Sequence, residues 1–198
     1  HTTCRRQRQM CIRDSPYTGN PKTRLSSFFT KSERTFISEY LLTSIINEVG
    51  KLSLHDISRN IHVYPDISKR FVNSLKNLND FNLIRQRGRN LNMRMLNCIK
   101  EQAQQARKVL LFGSDIPALT SKIIEDGLRR LDSHDAVIGP ATDGGYYLIG
   151  FKNFHEKYTH SINLQPENIR SSLNNNKLMF SELEQLSDID CPNDLLVI

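Results

Sequence analysis

The side chains of this 198-residue chain best suited to chemistry are carboxylates at the ends of apolar runs. Val109 to Phe112 is a short apolar run that ends in Gly113-Ser114-Asp115. Such a run reads as a buried strand, and its C-terminal end would deliver the Asp115 carboxylate to the edge of a sheet. Near the other end of the chain, Asp188, Asp190 and Asp194 place three acids in seven residues. With Asp115 they could hold a hard divalent cation, because Mg²⁺ or Mn²⁺ takes carboxylate oxygens, bridges phosphates and keeps room for water. An Asp at a strand end is equally a helix cap or a turn former. Asp143-Gly144-Gly145 is first of all a turn signal, although glycine also lets backbone approach a ligand closely. The cationic counterpart is the loop PYTGNPKTRL (16–25). Gly19 followed by Lys22 and Arg24 could grip phosphate, since an Arg fork and a Lys point charge both suit phosphoryl oxygens. The spacing is not that of a Walker A loop, and on the residues alone solvated loop charges are the plainer reading.

Other chemistries find little support. Ser114 lies in G-S-D, not in a G-x-S-x-G elbow. None of the six histidines has i, i+4 spacing on a helix, and His62, alternating with strand residues, reads as a packed or surface side chain. Cys4, Cys11, Cys98 and Cys191 form no C-x-x-C pair, so they read as free thiols. A G-x-G-x-x-G fingerprint is absent. The formal charge of +6 and pI near 9.2 would suit nucleic acid, but residues 1 to 15 supply +3 of it from four arginines against Asp14. No basic stripe interleaved with aromatics follows, and an anionic small substrate explains the remaining excess, so no nucleic-acid partner is expected. No apolar run approaches the roughly 18 residues of a membrane span, and the N-terminal residues lack the apolar core of a secretory signal. The cytoplasm is the expected location, and the oligomeric state is not legible.

The elements that must position these residues alternate. Residues 1–15 (HTTCRRQRQMCIRDS) have no apolar periodicity. They read as a non-native or disordered basic tail, of the kind produced when adapter bases are translated at the broken end of a gene fragment, in which case the true first strand is missing or replaced. Ser32 reads as the cap of a helix to Val49, with Phe36, Ile37, Tyr40, Leu41, Ile45 and Val49 on its apolar face and Gly50 as the stop. A strand over 60–64 follows, then a helix capped by Asp66 or Ser68, a short strand over 81–85 and an amphipathic helix over 91–106. Thr120 or Ser121 caps a helix to about Leu131, and 136–138 and 146–151 read as strands. Pro166 opens a short helix, and 177–180 is a last strand. The pattern predicts one three-layer α/β/α domain over 16–198 with a mostly parallel sheet.

The motifs in order resemble one family. VLLFGSDIPALT, then DAVIGPATDGGYYLIG about 20 residues later, are similar to bacterial glycosyltransferase-A-like transferases. Those proteins are found near radical-SAM and selenium-related genes, were long catalogued as a domain of unknown function, and are in part assigned to arsenosugar biosynthesis. They resemble the nucleotide-diphospho-sugar transferase superfamily. PYTGNPKTRL resembles the family's P-x-x-G-x-x-K-T-R-L loop, QRGRNLNMRM its Q-G-x-D-L-G-x-R-M segment, and SDIDCPNDL its D-x-D-T-P-x-D-L ending. Asn90 and Asn92 stand where the family usually has Asp and Gly, and Cys191 where it has Thr.

The resemblance implies a glycosyltransferase-A-like fold with a Rossmann-like nucleotide-binding half. It implies that Gly19, Lys22, Arg24, Gly88 and Arg94 bind nucleotide and phosphates, and that Asp115 and Asp190 hold Mg²⁺ or Mn²⁺. Asp115 and Asp143 would be the catalytic pair, and Gly144, Gly145 and Tyr146 would shape a substrate pocket. The implied activity is metal-assisted glycosyl transfer from a nucleotide-diphospho-sugar donor to a small-molecule acceptor. The alternative is nucleotidyl transfer with release of pyrophosphate. A truncated inactive fragment, or a module that binds a nucleotide-sugar without turnover, is the third.

Overall fold

In the computed structural model, which describes residues 8–13, 22, 25–53, 56–64, 80–189 and 194, the alternation of elements becomes a sheet flanked by helices. In chain order they are β1 (Arg8–Arg13), α1 (Lys31–Gly50), β2 (Ile57–Val63), β3 (Phe81–Arg85), α2 (Leu91–Ala103), β4 (Lys108–Gly113), α3 (Ser121–Arg130), β5 (Ala136–Pro140), β6 (Tyr146–Lys152), α4 (Tyr158–Ser161), α5 (Ile169–Asn175) and β7 (Phe180–Glu182). The strand order is β3-β2-β1-β4-β6-β5-β7. Only β6 runs against its neighbours, β4 on one side and β5 on the other. The C-terminal ends of β1 to β5 and of β7 therefore open on one edge, and the loops that follow them meet there.

Continuous apolar strands explain the layering. In β4, Leu110 and Phe112 pack with Leu42, Ile45, Ile46 and Val49 of α1 and Ile124 and Leu128 of α3. Val109 and Leu111 face the other way, into Met95, Leu96 and Ile99 of α2 and Ile169 and Leu173 of α5. A strand buried on both faces reads as an unbroken apolar run because neither side of its pleat meets water.

Three expectations are corrected. Residues 8–13, expected in a basic tail, form the central strand β1, parallel to both β2 and β4. Strand pairing is made by main-chain groups, so the slot between two strands can be filled without the apolar periodicity that marks its neighbours. The cap of α1 is Thr30 rather than Ser32: its Oγ1 accepts from Glu33 N while Glu33 reaches back to Thr30 N, a reciprocal capping box. The helix buries Leu41, Leu42, Ile45, Ile46 and Val49, and leaves Phe36 and Tyr40 exposed. The last strand is β7, three residues later than read, after Asp135 Oδ2 takes the N–H of Met179. The helix expected after Asp66 lies outside the described residues. Thr120 is the cap residue of α3 but makes no side-chain cap hydrogen bond; the Ser121 N–H is taken by Glu48 of α1 at 2.8 Å. Among the described residues no helix is long and apolar enough to cross a membrane.

Candidate functional site

At the edge where the loops meet lies a cavity of about 620 Å³. Its floor is the end of β4, from Leu111 to Gly113, with Asp115 and Ile116 just beyond. The β5–β6 turn contributes Asp143, Gly145 and Tyr146, the first turn of α2 contributes Asn90 to Asn92, and the segment 163–167 closes the remaining side. Asp188, on the chain leaving β7, completes it.

β4 ends in a glycine beside Asp115. A Cβ on Gly113 would lie 2.8 Å from Asp115 Oδ1, so any other residue there would require the carboxylate to shift from its place over the strand end. The following segment is pinned by Ile189 N–H, which donates to the Asp115 carbonyl at 3.0 Å. Lys22 then joins the two strands' ends. Its Nζ donates to Asp115 Oδ2 at 3.0 Å and to the Ile189 carbonyl at 2.5 Å. Lys22 holds a left-handed backbone, φ 48°, and its side chain is only 11% exposed, against 27% for Asp115. A residue read from sequence as a phosphate grip and one read as a metal ligand thus form one ion pair, across 93 residues of chain.

Asp143, Gly145 and Tyr146 reach the same cavity, but as parts of a turn. Asp143 Oδ1 accepts the Gly145 N–H at 2.8 Å, and Gly144, at φ 89°, has open space around its Cα and is not part of the cavity wall. The turn reading of D-G-G therefore holds together with the pocket reading. The Tyr146 hydroxyl donates to the Leu164 carbonyl at 2.5 Å, so it shapes the wall. Tyr147 lies beneath, 3% exposed, its hydroxyl donating to the Glu184 carbonyl. Burial, with Glu184 adding to it, pushes its phenol up.

Gly88 and Arg94 stand beside the cavity, on the loop between β3 and α2 and on the first turns of α2. Gly88 has φ 142°, and a Cβ there would meet Arg94 N at 2.8 Å; the loop presses directly on the helix start. The Arg94 guanidinium lies 3.8 Å above the Tyr64 ring, a cation–π stack, and its Nε is buried without a hydrogen-bond partner. Gly19, Arg24 and Asp190 lie outside the described residues.

Asn92 and the segment 163–167 were not legible as site residues. Asn92 Oδ1 accepts the Leu164 N–H at 2.7 Å, while Tyr146 holds the carbonyl of the same residue. Asn92 was visible only as a departure from the resembled motif; its partner 72 residues away carries no sequence signal.

Among the described residues no three His, Cys, Asp or Glu side chains converge as a ready-made metal cage. Asp115 and Asp188 do line one cavity. That donor set suits Mg²⁺, which binds through one or two carboxylates and completes its shell with substrate phosphates and water. The residues present fit a cation that arrives with its substrate.

With this geometry in hand, comparison with known proteins gives three results. Residues 51–164 match the family described as uncharacterized protein conserved in bacteria, DUF2064. The chain is 31% identical over 134 residues to the 2-phospho-L-lactate guanylyltransferase of Methanocaldococcus jannaschii, covering 67% of this chain and 54% of that protein. The chain thus spans about half the length of that curated relative. In three dimensions it is similar to a protein of Desulfovibrio desulfuricans assigned to the nucleotide-diphospho-sugar transferases, with TM-score 0.81 and 23% identity over 94% of this chain and 83% of that one. It is also similar to the 4-diphosphocytidyl-2C-methyl-D-erythritol synthase of Anaerococcus prevotii, with TM-score 0.62 and 12% identity over 97% and 94% of the two chains. The fold is the expected glycosyltransferase-A-like three-layer fold. The radical-SAM and selenium association is carried by none of these comparisons.

Proposed function

Because the chain belongs to the DUF2064 family of bacterial proteins, we propose that it is a transferase that moves a nucleotidyl group from a nucleoside triphosphate to a small acceptor and releases pyrophosphate. The observation that carries this reading is the Lys22–Asp115 pair at the end of β4, bordered by the cavity. A cation and a carboxylate held 3.0 Å apart at the cavity's edge supply both charges that a triphosphate and its metal need. A divalent cation held by Asp115, with Asp188 and Asp190, would neutralise charge on the phosphates. Lys22 would turn from Asp115 to the phosphates, and Gly88 and Arg94 would bound the nucleotide on the side of β3. Asp143 would face the acceptor. The protein's part is orientation and electrostatics, with no covalent intermediate required. Sequence relatives that are guanylyltransferases support nucleotidyl over glycosyl transfer, which reverses the order of preference that the motifs alone suggested.

Glycosyl transfer from a nucleotide-diphospho-sugar remains the second reading, favoured by the likeness to the D. desulfuricans protein. One experiment separates them. The protein is incubated with each nucleoside triphosphate, or with UDP- and GDP-sugars, in Mg²⁺ or Mn²⁺, and pyrophosphate and nucleoside diphosphate are measured. Pyrophosphate from a triphosphate, lost in Asp115→Asn, supports the proposal; nucleoside diphosphate from a sugar donor replaces it with the second reading. Binding without either product would mark a nucleotide-binding module.

A further inference from the structure

The cavity also constrains the acceptor, an inference that rests on the nucleotidyl-transfer reading. Among the described residues its charged lining consists of Asp115, Asp143, Glu167 and Asp188, with no lysine or arginine. Four carboxamides, Asn90, Asn92, Asn163 and Gln165, stand between them, and Leu91, Met95 and Leu164 give an apolar strip. The wall is built, not draped. Leu164 is gripped at its N–H by Asn92 and at its carbonyl by Tyr146. Asn163 and Gln165 exchange two further bonds at 3.0 Å, Nδ2 to Oε1 and backbone N–H to Oδ1, which leaves the Gln165 amide N–H groups available to a ligand.

Arg85, Arg87, Arg89 and Arg94 belong to the β3–α2 side and none lines the cavity, and Lys22 stands at its edge, paired with Asp115. Even if Asp115 and Asp188 are neutralised by a divalent cation, Asp143 and Glu167 keep the cavity anionic. A phosphorylated acid such as 2-phospho-L-lactate, named in the relative's activity, would meet carboxylates on entering, and like charges facing each other disfavour binding. Hydroxyl groups meet instead carboxylate acceptors and amide donors beside an apolar strip.

We infer that the cavity is the acceptor site and takes an uncharged polyhydroxylated molecule, a sugar or polyol. Its hydroxyl oxygen attacks the α-phosphorus of the nucleotide. The new O–P bond forms as the bond from the α-phosphorus to the oxygen of the β-phosphate breaks. Pyrophosphate leaves, and the hydroxyl proton passes to a cavity carboxylate.

Binding of matched pairs tests this without nucleotide: glucose against glucose 6-phosphate, and glycerol against glycerol 3-phosphate, titrated calorimetrically into the full chain, with 2-phospho-L-lactate as an anionic probe. The unphosphorylated member of at least one pair should bind about tenfold more tightly or better, 2-phospho-L-lactate should bind no better than the phosphorylated members, and Glu167→Lys, an exposed site tolerant of change, should narrow the gap. Tighter or equal binding of the phosphorylated members, or binding of no member of either pair, overturns the inference. Pyrophosphate release separates it from its premise. Release stimulated preferentially by phosphorylated acceptors overturns the polyol assignment and leaves nucleotidyl transfer standing. A polyol preference without any pyrophosphate supports the assignment of the cavity and removes nucleotidyl transfer.

Discussion

The two halves of the sheet's open edge are built and charged differently. On the β1–β3 side, the strands carry buried polar groups: Asn82 donates to Asn60 and Asn60 to Gln102 of α2, with Asn60 only 2% exposed. The loop leaving β3 then places four arginines within ten residues, Arg85 to Arg94. On the β4–β6 side the strands are apolar on both faces, and the cavity at their open edge has acids and no cations among its described lining residues. The difference is physical. A cationic loop on a polar support can follow the phosphates of a flexible nucleotide, whereas a site for a small acceptor needs a wall fixed by packing and paired hydrogen bonds. Lys22 and Asp115 are where the halves touch.

Breaking that junction should have the largest effect. Asp115→Asn keeps the shape but removes the charge, and triphosphate turnover should fall about 100-fold or more while the melting temperature stays within a few degrees; rates measured across a Mg²⁺ titration check this. Lys22→Met should be next. It should raise the KM for the triphosphate about tenfold and leave binding of an uncharged acceptor unchanged, as calorimetry of each ligand alone would show; a loss of both would mean that the halves are not separable. Gly88→Ala should cost about 1–3 kcal/mol of stability, because the added Cβ meets main-chain atoms of α2 in a φ region that disfavours it. Denaturant melts measure the cost, and nucleotide binding should suffer more than acceptor binding.

The smallest effect belongs to the scaffold beneath the β4 side. The Lys51 ammonium hydrogen-bonded to Glu48, and after the opposing cost of burial the Ser121 N–H, hold the Glu48 carboxyl below the ordinary carboxylate value. A carboxyl depressed in the folded state stabilises fully above its unfolded pKa and loses that contribution as pH falls through the folded value. Glu48→Gln should therefore cost about 0.5–2 kcal/mol at neutral pH, and the difference from the parent protein should shrink as the medium is acidified below the carboxylate range. A constant difference at all pH values would assign the loss to packing instead.

Much of the β4 side was legible in the chain itself. Val109 to Phe112 had to be buried on both faces, Gly113 and Asp115 had to follow it, and Asp143-Gly144-Gly145 had to turn; each depends on neighbours within a few residues, where propensity, periodicity and turn chemistry act. The β1–β3 side was less legible. Residues 8–13 carried no periodicity because their place is secured by main-chain pairing, and Phe36 and Tyr40 were read as core because they are apolar at helical spacing, whereas packing buries the neighbouring stripe of Leu41, Leu42, Ile45, Ile46 and Val49. Tertiary structure alone decided three things: that Lys22 meets Asp115, that Glu48 rather than Thr120 bonds the first N–H of α3, and that Asn92 and Tyr146 grip Leu164. In each, polar groups many residues apart satisfy one another's hydrogen bonds at a distance set by the packing of whole elements, and no local pattern encodes that distance.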